Sequence, residues 1–135
     1  MANSSNTLRT AIGEAFVRSQ AVTLPSAMFV SLHTASLDAA GTNIGSEVSG
    51  NGYARASLPP ASISNASGVL TTTLEVEFGA STADWGTIVS VGIWSDATST
   101  DLSHYYWFDD LASPVVLSSG EFFTIQAGGL TWTIQ

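Results

Sequence analysis

Short strand-like segments recur along this chain, and each one ends at residues that favour turns. In the clearest segment, 70–78, Leu74, Val76 and Phe78 alternate with polar residues, which is typical of a half-buried strand. Further candidate strands are 27–33, 53–58, 88–94, 104–108, 115–117, 121–125 and 130–134, with 61–68 as a polar connector. This spacing predicts a mainly β fold, either an antiparallel β-sandwich or a jelly-roll-like barrel.

One helix is expected before the first strand, over residues 5–19. The apolar residues on its shared face are Leu8, Ile12, Ala15 and Phe16, at helical spacing. Ser5 or Asn6 can cap its start, and Pro25 stops further helix. Since no repeat or linker divides the chain, residues 1–135 are expected to form a single domain, with the β-sandwich running from about residue 27.

The charge balance argues against several classes of partner. The chain has 11 acidic residues, three arginines and no lysine, for a formal net charge of -8. Binding to nucleic acid or to an anionic membrane needs clustered cations, so neither partner is expected. No apolar run is long enough to predict a membrane-spanning helix.

The low number of charged residues indicates that part of the protein surface is covered. Charged residues make up 10% of the chain and hydrophobic residues 44%, whereas soluble domains carry about 25% charged residues. We interpret this as a surface partly covered by neighbouring subunits, with a sticky monomer as the alternative.

The sequence contains no convincing catalytic or metal-binding pattern. His33 and His104 lie in or beside strand-like segments, and no Gly-x-Ser-x-Gly elbow is present to expose a nucleophile. The absence of Cys and Lys excludes thiolate metal sites and the phosphate-binding Gly-Lys loop. The prediction is a protein that is not an enzyme and holds no metal or cofactor.

The segment Glu47–Arg55 is predicted to be a structural brace or interface. Gly50, Asn51 and Gly52 accept positive φ at low cost, so the chain can turn there and begin a strand at Tyr53. Glu47 and Arg55 flank that turn, where they could form a bidentate ion pair.

A second turn, at Asp84–Trp85, belongs to the same predicted brace. Its indole is expected to anchor the turn in the core, and its carboxylate to accept hydrogen bonds from backbone N–H groups at that turn.

Four consecutive aromatic residues, Tyr105, Tyr106, Trp107 and Phe108, form the remaining candidate site. In a regular strand Tyr105 and Trp107 share one face, and Tyr106 and Phe108 share the other. One face must pack the core, so a core and subunit-interface role is favoured over stacking against sugar rings.

Five motifs occur in a recognisable order along the chain. They are Val30-Ser-Leu-His-Thr34, the Glu47–Arg55 segment, Val76-Glu-Phe78, Ala83-Asp-Trp-Gly-Thr87 and Ala127-Gly-Gly-Leu-Thr-Trp-Thr-Ile134. From about residue 8 to 134 the chain resembles a family of small bacteriophage tail fibre proteins.

The resemblance implies a non-enzymatic virion component, assembled in the host bacterial cytoplasm, that associates with its own copies or with other virion proteins. A homotrimer is the favoured assembly. The alternatives are a capsid decoration (cement) protein and, from another class, a carbohydrate-binding receptor module for a host surface glycan.

Overall fold

The computed structural model describes residues 3–21 and 25–133. The helix α1 (Asn6–Ile12) continues into a π-helical turn, Gly13–Val17, and 3-10 turns lie at Ile44–Ser46, Pro60–Ser62 and Leu102–His104. The strands are β1 (Asn3–Ser4), β2 (Phe29–His33), β3 (Ala56–Ser57), β4 (Ile63–Ala66), β5 (Val69–Thr72), β6 (Val76–Glu77), β7 (Gly86–Trp94), β8 (Tyr105–Leu117), β9 (Thr124–Ile125) and β10 (Thr131–Thr133). Ile134, the end of the predicted last strand, lies outside the described residues.

The strands form three antiparallel sheets. Their orders are β1-β8-β7-β2-β3, β10-β5-β4 and β6-β9. The predicted class, mainly β with one N-terminal helix, is confirmed, and the described strands form no closed barrel.

All three sheets contribute to one hydrophobic core. Val30, Ile88 and Ile93 of the five-stranded sheet are almost fully buried, as are Val76 and Trp132 from the other two sheets. β7 pairs with β2 on one side and β8 on the other, which confirms the prediction of a central strand at 88–94. A smaller cluster of Leu37, Trp94 and Tyr105 lies beside this core.

The predicted strand 70–78 is interrupted. β5 ends at Thr72 in one sheet and β6 begins at Val76 in another, because the chain bends between them. The Thr73 N–H donates to the Ser62 carbonyl at 2.7 Å. Val76 is buried as expected, but Leu74 is 60% exposed, so the prediction was wrong for that residue.

The predicted connector 61–68 contains a strand. β4 pairs with β5 from Ile63 opposite Thr72 to Ala66 opposite Val69. The hairpin turns at Ser67 and Gly68, which both have positive φ, as tight hairpin turns require. β4 is an exposed edge strand. Because its residues are mostly polar, the sequence pattern did not predict a strand there.

The segments 104–108 and 115–117 belong to one strand, β8, of 13 residues. Ile88 of β7 lies opposite Val115, whereas Ser90 lies opposite Asp110. The extra residues of β8 bulge out between those two pairs, and such an irregularity accommodates Pro114 inside a strand.

Candidate functional site

The turn in the Glu47–Arg55 segment depends on three successive residues with left-handed backbone. Gly50, Asn51 and Gly52 have φ of 68°, 52° and 78°, a region that glycine and asparagine tolerate best. The Tyr53 N–H donates to the Gly50 carbonyl at 2.9 Å. This reversal brings the residues on either side of the turn together.

Glu47 and Arg55 form the bidentate ion pair that their positions suggested. Arg55 Nε donates to Glu47 Oε1 at 2.8 Å and Arg55 Nη2 to Oε2 at 2.7 Å. The arginine side chain is 2% exposed and the glutamate 15%. Arg55 Nη1 also donates to the Asp96 carbonyl at 2.8 Å, and the guanidinium lies 4.0 Å from the Trp94 ring centroid. The pair therefore ties the loop to the end of β7.

Tyr53 completes the same network. Its hydroxyl donates to Glu47 Oε1 at 2.9 Å and accepts from the Leu32 N–H at 3.0 Å. Burial, reinforced by the Glu47 carboxylate, raises the pKa of Tyr53 well above its usual range. The ring packs edge-on against Trp85 at 5.4 Å and stacks on Phe78 at 6.3 Å. Tyr53 thus links the ion pair to the core.

Asp84 and Trp85 hold the other side of the turn. Trp85 Nε1 donates to the Asn51 carbonyl at 2.9 Å, and Asn51 Nδ2 donates to the Asp84 carbonyl at 3.3 Å. The Asp84 carboxylate accepts from the Ser119 N–H at 3.0 Å, in the loop after β8. The backbone N–H group that donates to this carboxylate therefore lies in a different loop from Asp84 itself. The structure brings all five predicted brace residues into one region.

A buried hydrogen-bond chain next to the brace was not predicted. Trp94 Nε1 donates to Ser31 Oγ at 2.8 Å, which lies 2.7 Å from His33 Nε2. His33 Nδ1 lies 3.3 Å from Ser46 Oγ, which donates to the Asn43 carbonyl. A neutral His33 with its proton on Nδ1 satisfies every member of this chain.

Desolvation accounts for the neutral state of His33. Burial lowers the pKa of His33 to about 4, with Glu47 opposing the shift and Arg55 adding to it. Both His33 and Ser31 are 0% exposed, so a substrate would have no access to this Ser–His pair. His104 lies elsewhere, with its Nδ1 3.0 Å from Ser95 Oγ.

The four aromatic residues 105–108 divide between two clusters. Tyr105 is fully buried, donates to the Asp38 carbonyl at 2.9 Å and packs against Trp94 and Phe108. Trp107 instead packs against the main core. Ile93 lies opposite Trp107 and Trp94 opposite Tyr105, so Tyr106 is an extra residue that reverses the alternation. The expected shared face of Tyr105 and Trp107 therefore does not form.

An apolar groove lies between the N-terminal helical segment and the sheets. It has a volume of about 340 Å³ and is lined by helix residues such as Ile12 and Phe16 and by Leu70, Trp107 and Trp132. Within the described part of the chain, the buried indole N–H groups of Trp107 and Trp132 have no acceptor. The sequence analysis did not predict this groove, although the apolar face of the helix, which lines it, was recognised.

Within residues 3–21 and 25–133, no helix is long and apolar enough to cross a membrane. Across the same residues, no group of three or more His, Cys, Asp or Glu side chains is placed to hold a metal ion.

Comparison with known proteins assigns the chain to a family. A search of the curated proteins finds no match to the chain. A family model described as Podophage GP4 fiber I protein gp80 matches residues 3–133, which is nearly the whole chain and includes every strand described above. The chain therefore belongs to this family of podophage fibre proteins.

Proposed function

We propose that this chain is a non-enzymatic structural component of a phage tail fibre, folded as one β-rich domain and assembled through contacts between subunits. The observation that carries the proposal is the family match over residues 3–133. Its partners would be copies of itself, with a homotrimer favoured, and other virion proteins. It would be incorporated into the virion in the host bacterial cytoplasm.

The polar groups of the brace support a structural role. Glu47, Tyr53 and Arg55 direct their hydrogen bonds to one another and to backbone groups of Leu32 and Asp96. Side chains committed in this way fix the shape of a loop. We assign Glu47, Tyr53 and Arg55, together with Asp84 and Trp85, to holding the loop surface in a form that neighbouring subunits can contact.

The aromatic residues 105–108 favour this role over carbohydrate binding. A sugar-binding platform presents an aromatic face to solvent, whereas Tyr105 is fully buried and the other three rings are half-buried. We propose that these residues serve the core and its adjoining subunit contacts.

Locating the chain in purified virions tests the proposal. An antibody against the chain, with gold labelling in electron microscopy, is expected to mark the tail at a few sites per particle. Labelling spread over the head would instead identify a capsid decoration protein. Virions that lack the chain by mass spectrometry would overturn both assignments.

A further inference from the structure

The turn in the Glu47–Arg55 segment contains a chemically reactive pair of residues. Asn51-Gly52 is the one Asn-Gly pair in the sequence, and both residues are exposed to solvent. In a flexible chain, asparagine loses its side-chain amide fastest when glycine follows it, because glycine has no side chain to obstruct its backbone nitrogen. The fold therefore places the most reactive asparagine of the chain in a loop that water can reach.

The reaction begins with an attack by the backbone on the side chain. The Gly52 nitrogen forms a bond to Asn51 Cγ, and the bond from Cγ to Nδ2 breaks. The side-chain nitrogen leaves as ammonia with the proton of the Gly52 N–H, and a five-membered succinimide ring remains. Water then opens the ring. Its attack at Cγ yields aspartate, and its attack at the main-chain carbonyl carbon yields isoaspartate, whose backbone is one methylene longer.

The backbone of the folded loop opposes the first step. Asn51 and Gly52 have φ of 52° and 78°, and the Tyr53 N–H donates to the Gly50 carbonyl at 2.9 Å. Positive φ at both central residues, together with this hydrogen bond, defines a type I′ turn. In such a turn the nitrogen of the second central residue lies across the Cα–C bond from the Cβ of the first. The Gly52 nitrogen is therefore out of reach of Asn51 Cγ.

Hydrogen bonds from another segment hold the peptide group between Asn51 and Gly52 in this orientation. Its carbonyl oxygen accepts from the Thr82 N–H and from Trp85 Nε1, each at 2.9 Å. The Asn51 side chain is held as well, since its Nδ2 donates to the Asp84 carbonyl at 3.3 Å. Rotating the peptide group toward Cγ breaks the two bonds to its carbonyl, so the reaction requires the loop to open.

We propose that Asn51 is a latent deamidation site, which the closed loop keeps unreactive and which converts to isoaspartate and aspartate when the loop opens. Isoaspartate prevents the loop from closing as before. Its main chain passes through Cγ, and the carbonyl that Thr82 and Trp85 hold becomes a free carboxylate beside a longer backbone. The modification therefore marks, irreversibly within the chain, those copies whose loop has opened.

Mass spectrometry of peptides from the purified chain tests the proposal. The chain is incubated in mildly alkaline buffer, either folded or in denaturing urea, and loss of the amide at position 51 is followed with time. The reaction is expected to be at least about tenfold slower in the folded chain, the effect of a loop opening that costs about 1.4 kcal/mol. Asn51→Gln is the control for the site. It is expected to lose most of the reaction in urea, because the same attack would have to close a six-membered ring.

Two matched Trp→Phe variants test whether the hydrogen bonds of the loop provide the protection. Trp85→Phe removes the indole donor to the Asn51 carbonyl and is expected to raise the rate in the folded chain at least about 3-fold, the effect of one lost hydrogen bond. Trp132→Phe is the control, since Trp132 is also almost fully buried and its Nε1 has no acceptor among the described residues. Urea unfolding verifies that each variant folds. Gly50→Ala, which strains the same loop at a φ of 68°, replaces Trp85→Phe if that variant does not fold.

Equal rates for the folded and the unfolded wild type would overturn the proposal. So would a rate for folded Trp85→Phe that does not exceed the rate for folded Trp132→Phe. Deamidation is measured on the isolated chain and the fibre assignment is tested on virions, so either can fail without the other.

Discussion

At the residue scale, Arg55 shows how this fold accommodates a buried charge. Its side chain is 2% exposed, a position that is costly for a charge unless its donors are paired. Two of its nitrogens contact the Glu47 carboxylate, the third contacts the Asp96 carbonyl, and the Trp94 ring lies against its face. Because each of its three nitrogens has a hydrogen-bond partner, the guanidinium holds the loop in one specific geometry.

Arg55→Ala is expected to lower the free energy of unfolding by about 3 kcal/mol, because it leaves the Glu47 carboxylate largely buried without its partner. Arg18→Ala is the control, since its pair with Glu14 is 68% and 33% exposed and is worth less than about 1 kcal/mol. Urea unfolding measures both. Equal stabilities of the two variants would contradict the role assigned to Arg55.

His33 makes stability depend on pH in a defined window. Its pKa is about 4 in the folded protein and 6.5 when unperturbed, so the unfolded chain binds a proton more readily. Stability is therefore full above pH 6.5 and is lost as the pH falls toward 4, by about 1.4 kcal/mol per pH unit at most.

Urea unfolding between pH 7 and 4.5 measures this effect, with His33→Gln as the comparison. The variant is expected to show a flatter profile in that window, whatever its stability at pH 7. Backbone hydrogen bonds lower the pKa values of Asp38, Asp96 and Asp101, so the stability they contribute is lost at lower pH. Parallel profiles for wild type and variant would count against the buried neutral His33.

The residue-level network could be predicted only where it is local. Glu47 and Arg55 lie on either side of a turn signal, so their pairing follows from the sequence. The hydrogen bond from Trp94 to Ser31 joins residues 63 positions apart, and it depends on the register of β2 against β7, which no local pattern specifies.

At the element scale, the loop 47–55 is held by close contact with residues 80–85. A Cβ at Gly52 would lie 3.2 Å from the Ala80 carbonyl oxygen and 3.2 Å from Thr82 Cγ2, at a φ of 78°. The Thr82 N–H also donates to the Asn51 carbonyl at 2.9 Å. Glycine is required here both for its backbone conformation and for its lack of a side chain.

Gly52→Ala is expected to destabilise the protein by roughly 2 to 3 kcal/mol, the sum of left-handed backbone strain and crowding. Gly50→Ala, in the same loop with φ of 68° and nothing within 4 Å of its added Cβ, is expected to cost roughly 1 kcal/mol, from the backbone alone. Thermal unfolding compares them. A smaller loss for Gly52→Ala than for Gly50→Ala would refute the close packing.

The strands were predicted correctly where burial and sequence periodicity agree. They were predicted wrongly where tertiary contacts determine the secondary structure. β7 is buried and continuous, so its apolar run identified it. β4 has polar residues at an exposed edge, and its pairing with β5 defines it as a strand. The break at 73–75 separates strands of two different sheets, and the bulge in β8 depends on its register against β7, and alternation in the sequence reveals neither.

At the scale of the whole molecule, the net charge of -8 opposes the association of identical copies that the proposed fibre role requires. Raising NaCl from about 0.02 M to 0.5 M screens the repulsion and is expected to strengthen self-association. Sedimentation at both concentrations measures this. Weaker association at high salt would indicate a contact held by opposite charges instead.

The pairing of β1 with β8 has a consequence for how the chain is made. Asn3 lies opposite Phe108, so the first strand has no partner until translation has passed that residue. Because the ribosome adds roughly 5 to 20 residues per second, β1 remains unpaired for several seconds during synthesis. Trp132, which lines the groove, is synthesised later still. A nascent chain therefore lacks a finished apolar groove until Trp132 has been added and has left the ribosome.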